Sequence, residues 1–174
     1  MTQSSVVTIV RALNEAGVRY LIAGGLAAVA HGVVRFTADV DLVLALDDDN
    51  LSRAIASLAS LGFAPRVPVP FEALLDRAQR ERWIAAKGMT VFSVSSPRHP
   101  LTEVDLFVRM PFEFEVAYAN ALRLELPTGV IATFVGRDDL IRMKRAAGRP
   151  RDLEDVRALE SLGDPDPPEL GGEG

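Results

Sequence analysis

The chain has 174 residues, of which 48% are hydrophobic and 25% are charged, and it contains no cysteine. This length and composition are typical of a single soluble domain, and the absence of thiols excludes disulfides and thiolate metal sites in this chain. The net charge of −5 argues against a protein that coats nucleic acid nonspecifically, although a local basic groove remains compatible with it.

The N-terminal half of the chain alternates between helical and strand patterns, according to the spacing of its apolar residues and the positions of Gly and Pro. Helices are predicted at 4–16, 26–31, 47–60 and 71–79. Strands are predicted at 19–23 and 39–46.

The C-terminal half continues this alternation and adds strands that are joined by tight turns. Strands are predicted at 82–86, 89–94, 103–108, 123–126 and 130–134. Helices are predicted at 112–119, 136–147 and 150–161. The fold class is therefore α/β (α+β), with a small mixed sheet flanked by helices. We expect one domain over 1–162 that ends in a helix pair at about 136–161, followed by a disordered tail over 163–174.

Two carboxylates share one face of the predicted strand 39–46. Asp39 and Asp41 point the same way, roughly 7 Å apart along the strand, because side chains alternate between the two faces. Acids in an apolar strand repel each other and resist burial, and a divalent cation removes both problems. The alternative is that both are strand-end acids facing solvent.

A third acid lies in the later strand pattern Glu103–Phe107. The string Val-Asp-Leu occurs at 40–42 and again at 104–106, so Asp105 would join the first two acids if the strands are neighbours. Three converging carboxylates are suited to phosphoryl transfer with two Mg²⁺ ions. Asp105 could instead be an ordinary surface acid, and Glu103 on the same face could take its place.

Gly24 and Gly25 lie where a predicted strand turns into a helix. Glycine allows backbone amides to approach a phosphate closely. In the loop that precedes the acids, Arg35 could meet a triphosphate, and the Thr37 hydroxyl could brace the loop. Arg35 could equally be a surface arginine without a function.

A second polar region lies near the C-terminus, where residues 142–151 contain five Arg or Lys side chains and no acid. Lys144 can supply a mobile positive charge to a triphosphate, or it can be a solvated surface lysine. Asp152 lies in the first turn of the last predicted helix, where an acid is favourable without any catalytic role.

These residues resemble the signature of the nucleotidyltransferase superfamily that shares the DNA polymerase beta palm fold. Its pattern is a hydrophobic residue, Gly, then Gly or Ser, a gap, and an Asp-hydrophobic-Asp/Glu-hydrophobic string. Here Ala23-Gly24-Gly25 is followed by thirteen residues and then by Asp39-Val40-Asp41-Leu42. The third carboxylate of the family, on a later strand, corresponds to Asp105.

Within this superfamily the chain most resembles the AbiEii-like abortive-infection toxins and their small uncharacterised relatives. Those proteins typically carry an Arg-x-Thr-x-Asp-x-Asp string, as residues 35–41 do. They also carry a later Lys, then Gly-Arg, then Asp, which here are Lys144, Gly148-Arg149 and Asp152.

The resemblance implies a magnesium-dependent enzyme that moves an NMP from an NTP to a hydroxyl group of RNA (such as tRNA), a protein or a small molecule. It implies a toxin–antitoxin or phage-defence role and an antitoxin partner. The implied catalytic and metal-binding residues are Asp39, Asp41 and Asp105. The implied nucleotide-binding residues are Gly24, Gly25, Arg35, Thr37, Lys144, Arg149 and Asp152.

Two other functions remain open. The chain could be a non-catalytic module that binds a nucleotide or a partner on the same fold, and loss of Asp105 from the acid cluster would favour this. It could also be a toxin that needs a partner chain, because it has one C-terminal helix pair where such toxins usually have more helices. We expect a cytoplasmic protein without membrane contact, since no signal peptide and no apolar run near ~20 residues is present.

Overall fold

The computed structural model describes residues 4–163, so the predicted tail lies outside the described residues from 164 onward. The helices are α1 Ser5–Glu15, α2 Gly24–Ala30, α3 Asp48–Ser60, α4 Arg77–Lys87, α5 Phe114–Ala119, α6 Arg137–Ala147 and α7 Pro150–Ser161, with a 3₁₀ turn at Phe71–Leu75. The strands are β1 Tyr20–Ile22, β2 Val40–Leu44, β3 Ala64–Pro65, β4 Val91–Ser95, β5 Val104–Phe107, β6 Leu122–Glu125 and β7 Ile131–Phe134.

The strands form one mixed sheet in the order β3-β4-β5-β2-β1-β7-β6. Strands β2 and β5 are parallel, as are β1 and β7, and the remaining neighbours are antiparallel. The predicted fold class, a mixed sheet flanked by helices, is confirmed. The condition under which Asp105 would join the first two acids is met, because the two Val-Asp-Leu strings lie on neighbouring strands, with 40–42 paired in register with 104–106.

The centre of the sheet is buried on both faces. All three residues of β1 are buried, and so are four of the five residues of β2. Helices α1 and α3 pack against each other on this core through side chains such as Leu13 and Leu58. Asp41 is the only residue of β2 that is not fully buried, so the strand carries one charged group in an otherwise apolar setting.

The predicted pairing of strands 82–86 and 89–94 in a hairpin is wrong. The segment 82–86 is not a strand but part of α4, and β4 pairs instead with β5 and with β3. The Asp76 carboxylate caps α4 by accepting from the Ala78 and Gln79 amides, and Gly88 ends the helix at φ +59°. The apolar residues of 82–86 are flanked by residues with good helix propensity. The Asp76 cap and the helix end at Gly88 therefore place this segment in a helix.

The predicted helix at 71–79 is likewise two elements. The 3₁₀ turn ends at Leu75, and α4 begins at Arg77 with Asp76 as its N-cap. Strand β3 was not predicted from the sequence. The hairpin formed by β6 and β7 and the helix pair formed by α6 and α7 agree with the predicted positions. No helix within residues 4–163 combines the length and apolar character needed to span a bilayer.

Candidate active site

The paired glycines and the first acid pair meet because β1 and β2 are antiparallel neighbours. The Ala23 amide donates to the backbone carbonyl of Asp41 at 2.8 Å. Gly24 has φ +62°, and a Cβ added there would lie 2.0 Å from Asp41 Oδ2. Glycine is therefore required at position 24 for its backbone conformation and because the Asp41 carboxylate fills the space of a side chain.

Gly25 serves a different contact. A Cβ at this position would lie 2.7 Å from Thr37 Oγ1 and 3.3 Å from Arg35 Cζ. The missing side chain lets the loop 31–39 pack directly onto the glycine turn. The Thr37 hydroxyl therefore lies against the glycine turn, and its role in bracing the loop stays a prediction.

The three acids line one cleft. Asp41 and Asp105 are direct register partners on the parallel strands β2 and β5, and Asp39 lies just before β2. The Ser93 hydroxyl donates to Asp105 Oδ1, and the Glu103 amide donates to Asp39 Oδ1 at 3.4 Å.

Burial of two of these carboxylates disfavours their charged forms. Desolvation raises the pKa of Asp41 to about 6, and repulsion from Asp105 and Asp39 adds to that shift. Burial also raises the pKa of Asp105, and the hydrogen bond from Ser93 opposes this change. The site therefore holds negative charge that the surrounding protein does not fully compensate.

The expected three-carboxylate metal cluster is not formed. Among residues 4–163, no three His, Cys, Asp or Glu side chains come together closely enough to hold a metal ion. The hydrogen bonds to Asp39 and Asp105 direct each carboxylate toward its own donor, and mutual repulsion keeps like charges apart. The acids share a cleft without closing into a chelating group.

The cations predicted from the sequence lie in the same cleft, where they pair with an acid of helix α7. Asp155 Oδ2 accepts from Lys144 Nζ at 2.7 Å and also pairs with Arg35. Lys144 is 4% exposed and Asp155 is 5% exposed, so neither is a solvated surface charge. The Nε atom of Arg35 is buried and has no hydrogen-bond partner among residues 4–163. Arg35 is thus partly buried and ion-paired, and it is not a solvated surface arginine.

Arg149 and Asp152 form a local unit at the start of α7. Arg149 Nε donates to Asp152 Oδ2 at 2.7 Å, and the Arg149 amide donates to the same oxygen at 3.2 Å. The interpretation of Asp152 as a helix-capping acid is therefore confirmed. Its carboxylate also lies 3.9 Å from Lys144 Nζ, which connects the cap to the cations of the cleft.

The cleft has a volume of about 1300 Å³ and is lined by all ten residues proposed from the sequence. These are Gly24, Gly25, Arg35, Thr37, Asp39, Asp41, Asp105, Lys144, Arg149 and Asp152. Pockets for one small molecule usually measure about 300–1,000 Å³, so this cleft has room for more than one. Glu103, the alternative to Asp105, pairs with Arg66 and does not line the cleft.

Several residues of the site were missed from the sequence. Ser93 faces Asp105 because β4 pairs with β5, a pairing that the sequence analysis did not predict. Asp155 has a sequence signal, since it lies one turn beyond Asp152 on the same helix face. Phe36 and Arg109 also line the cleft, and neither stands out in the sequence.

Comparisons with solved structures identify the fold. The lincosamide antibiotic adenylyltransferase LnuA, solved with lincomycin bound, has a TM-score of 0.59 at 12% identity, covering 93% of this chain and 98% of that one. An antigenic nucleotidyltransferase-like protein from Paracoccidioides brasiliensis has a TM-score of 0.57 at 21% identity, with coverage of 96% and 79%. ANT(2")-Ia in complex with adenylyl-2"-tobramycin has a TM-score of 0.53 at 16% identity, with coverage of 91% and 87%.

No protein-family model matches the sequence, and no curated protein matches it. At these identities the structural likeness shows the fold alone. The chain therefore has the nucleotidyltransferase fold that the sequence signature predicted.

Proposed function

We propose that this protein is a magnesium-dependent nucleotidyltransferase that moves an NMP from an NTP to a hydroxyl acceptor. The observation that carries this proposal is the single cleft in which the paired glycines, three carboxylates and the cations Arg35, Lys144 and Arg149 face one another. Acids and cations side by side are suited to a ligand that is itself a polyanion carrying metal ions.

In the proposed reaction, the acceptor hydroxyl oxygen attacks the α-phosphorus of the NTP. A new oxygen–phosphorus bond forms, the bond from the α-phosphorus to the bridging oxygen of the β-phosphate breaks, and pyrophosphate leaves. The hydroxyl proton passes to Asp105, whose raised pKa favours accepting it, and from there to solvent. Most of the rate gain comes from positioning and charge neutralisation.

The donor set fits Mg²⁺, which prefers carboxylate and water oxygens. Asp39, Asp41 and Asp105 are the residues that would hold two ions. Burial, together with repulsion from Asp105 and Asp39, raises the pKa of Asp41 to about 6, although Lys144 and Arg149 oppose this change, and a bound cation would favour its charged form. When bound, the ions would neutralise the acids and the phosphate oxygens and activate the acceptor.

The cations act on the triphosphate. Lys144 lies in the cleft as a point charge, and Arg35 has a buried Nε–H that has no hydrogen-bond partner among residues 4–163, so both have donors for an anion. Gly24 and Gly25 leave room for the phosphates to approach the backbone, and Thr37 holds the loop against Gly25. Arg149 and Asp152 form the rim at the start of α7.

The acceptor, the partners and the biological role are further parts of the proposal. Small-molecule hydroxyls are supported by the lincomycin and tobramycin complexes of the structural neighbours. RNA such as tRNA, a protein acceptor, an antitoxin partner and a cytoplasmic toxin or phage-defence role are supported by the AbiEii-like motifs at 35–41 and 144–152. The four NTPs are equally open as donors.

The test is incubation with each NTP labelled at the α-phosphate, with Mg²⁺ and either total RNA, protein extract or an aminoglycoside and lincosamide panel. We expect label on one acceptor class with the wild type, and a loss of about 100-fold or more with Asp39→Asn or Asp41→Asn. Glu103→Gln is the matched control, because it removes a nearby acid that does not line the cleft.

A non-catalytic binding module is the second candidate, and one observation favours it. The three acids do not form a chelating cluster within residues 4–163. This candidate predicts NTP binding without acid-dependent transfer to any acceptor. Labelled acceptor that depends on Asp39 and Asp41 would exclude it.

A further inference from the structure

Phe36 is exposed although its neighbours in the loop are fixed. Its side chain is 85% exposed, whereas Arg35 is held by Asp155 and Thr37 packs against Gly25. The Phe36 carbonyl also accepts a hydrogen bond from Arg151 at 3.0 Å. An exposed aromatic ring on a backbone held from both sides is a preorganised contact surface, since little freedom is left to lose on binding.

Phe36 belongs to the cleft. Phe36 is one of its lining residues, while Val34, two positions earlier and fully exposed, is not. The loop therefore presents two exposed apolar side chains, of which one lines the cleft. This makes Val34 an internal comparison for any effect of exposed apolar surface alone.

Phe36 lies on the side of the cleft that carries the phosphate-binding cations. It is adjacent to Arg35 in sequence and bound to Arg151 of α7 through its backbone. Another aromatic residue of the cleft, Phe107, lies two residues beyond Asp105 on β5, roughly 7 Å further along the strand. Because β2 and β5 are parallel, the loop before β2 and the end of β5 lie on opposite sides of the acids.

In this arrangement the NTP and the acceptor would approach the acids from opposite sides. A triphosphate bound by Arg35, Lys144 and the glycine turn would leave the rest of the nucleotide near the loop 31–39. The acceptor would then reach the α-phosphate from the Asp105 side. Of the aromatic residues that line the cleft, Phe36 is the one in the loop that carries Arg35.

We infer that Phe36 is the platform on which the nucleobase of the bound NTP stacks. The inference rests on the proposed function and deepens it by assigning the base-binding contact. Every base has a π face, so this contact contributes affinity for all four NTPs and does not select among them.

The experiment is titration calorimetry with Mg²⁺ and two probes. One is the α,β-methylene analogue of ATP, which cannot transfer its nucleotide, and the other is inorganic triphosphate, which has no base. The variants are Phe36→Ala, Phe36→Leu and Phe36→Trp, with Val34→Ala as the matched control. Phe36 is exposed, so none of these changes should perturb folding.

We expect Phe36→Ala to weaken binding of the ATP analogue by about 5- to 100-fold and to leave triphosphate binding unchanged. Phe36→Leu should lose most of the same affinity, Phe36→Trp should retain it, and Val34→Ala should change neither ligand. Equal ATP-analogue affinity in the wild type and Phe36→Ala would overturn the inference alone. Equal losses in Val34→Ala and Phe36→Ala would also overturn it, and would point to apolar exposure in general.

If the wild type bound neither probe, the proposed nucleotidyltransferase function would fail and the inference with it. That outcome is distinguishable from failure of the inference alone, in which both probes bind the wild type normally.

Discussion

Replacing Asp41 by Asn should make the metal-free protein more stable. In the folded state burial raises the pKa of this carboxyl from its ordinary value of 3.8 to about 6, because burial disfavours the charged form. A shift of roughly 2 units corresponds to about 3 kcal/mol of lost stability at pH 7. Asn has nearly the same shape without the charge, and the backbone bond from the Ala23 amide to residue 41 is kept.

The sign of the effect fixes its pH dependence. A carboxyl whose folded pKa is raised favours folding fully below its unfolded pKa, and this contribution disappears as the pH rises through the folded pKa. The stability gap between Asp41→Asn and the wild type should therefore grow from about 0.5 kcal/mol at pH 4 to about 3 kcal/mol at pH 7. For a chain of this size that gap raises the melting temperature by about 6–12 °C.

The assay is urea unfolding from pH 4 to pH 7.5 in EDTA. Asp49→Asn is the control, because Asp49 is an exposed acid paired with Arg53 on α3, where a change of less than about 1 kcal/mol is expected. Equal stability of the wild type and Asp41→Asn at pH 7 would refute the reasoning. A gap of the same size at pH 4 would also refute it, because the gap would then not come from ionisation.

Two further substitutions test the packing of the site. Gly24→Ala should abolish transfer and Mg²⁺-dependent binding, because its Cβ would meet the Asp41 carboxylate. A Cβ at Gly17 would meet no atom of residues 4–163 within 4 Å, so Gly17→Ala should cost only about 1–2 kcal/mol of stability. Circular dichroism measures the folding of both variants, and label transfer measures their activity. Asp155→Asn should lower the free energy of unfolding by about 3–5 kcal/mol, because it removes the shared negative partner of the buried Lys144 and the partly buried Arg35. Glu160→Gln, which breaks an exposed pair, should lower it by less than about 1 kcal/mol. Similar urea midpoints for Asp155→Asn and the wild type would contradict the second expectation.

The positions of the first motif could be predicted because they depend on local geometry. Strand alternation places Asp39 and Asp41 on one face, and the chain from β1 through α2 to β2 is short enough to bring Gly24 beside Asp41. The repeated Val-Asp-Leu string made the arrival of Asp105 at the acid pair conditional on adjacent strands, and β2 and β5 are adjacent.

The remaining parts of the site depend on contacts that are distant in sequence. The segment 82–86 could be a strand or a helix from its apolar residues alone, and Gly88 fits a hairpin turn as well as a helix end. The strands at 89–94 and 103–108 were predicted, but their pairing, which brings Ser93 to Asp105, is not encoded in either pattern alone. The sharing of Asp155 by Lys144 and Arg35 depends on how α7 packs against the loop 31–39.

The orientation of the three acid side chains also could not be predicted from the sequence. Convergence of three carboxylates was expected if the strands were adjacent, yet the Asp39 and Asp105 carboxylates each accept from a different hydrogen-bond donor. Strand register determines which residues are neighbours, and side-chain hydrogen bonds determine where their oxygens point.

The measurement that tests the central claim most directly is the fate of the two ends of the triphosphate. One NTP sample carries label on the α-phosphate and a second carries it on the γ-phosphate, each with Mg²⁺ and the responsive acceptor. The account predicts that the α-label joins the acceptor and the γ-label leaves in pyrophosphate, and that both events are lost in Asp41→Asn. Transfer of the γ-label to the acceptor, or release of phosphate that persists in Asp41→Asn, would contradict it.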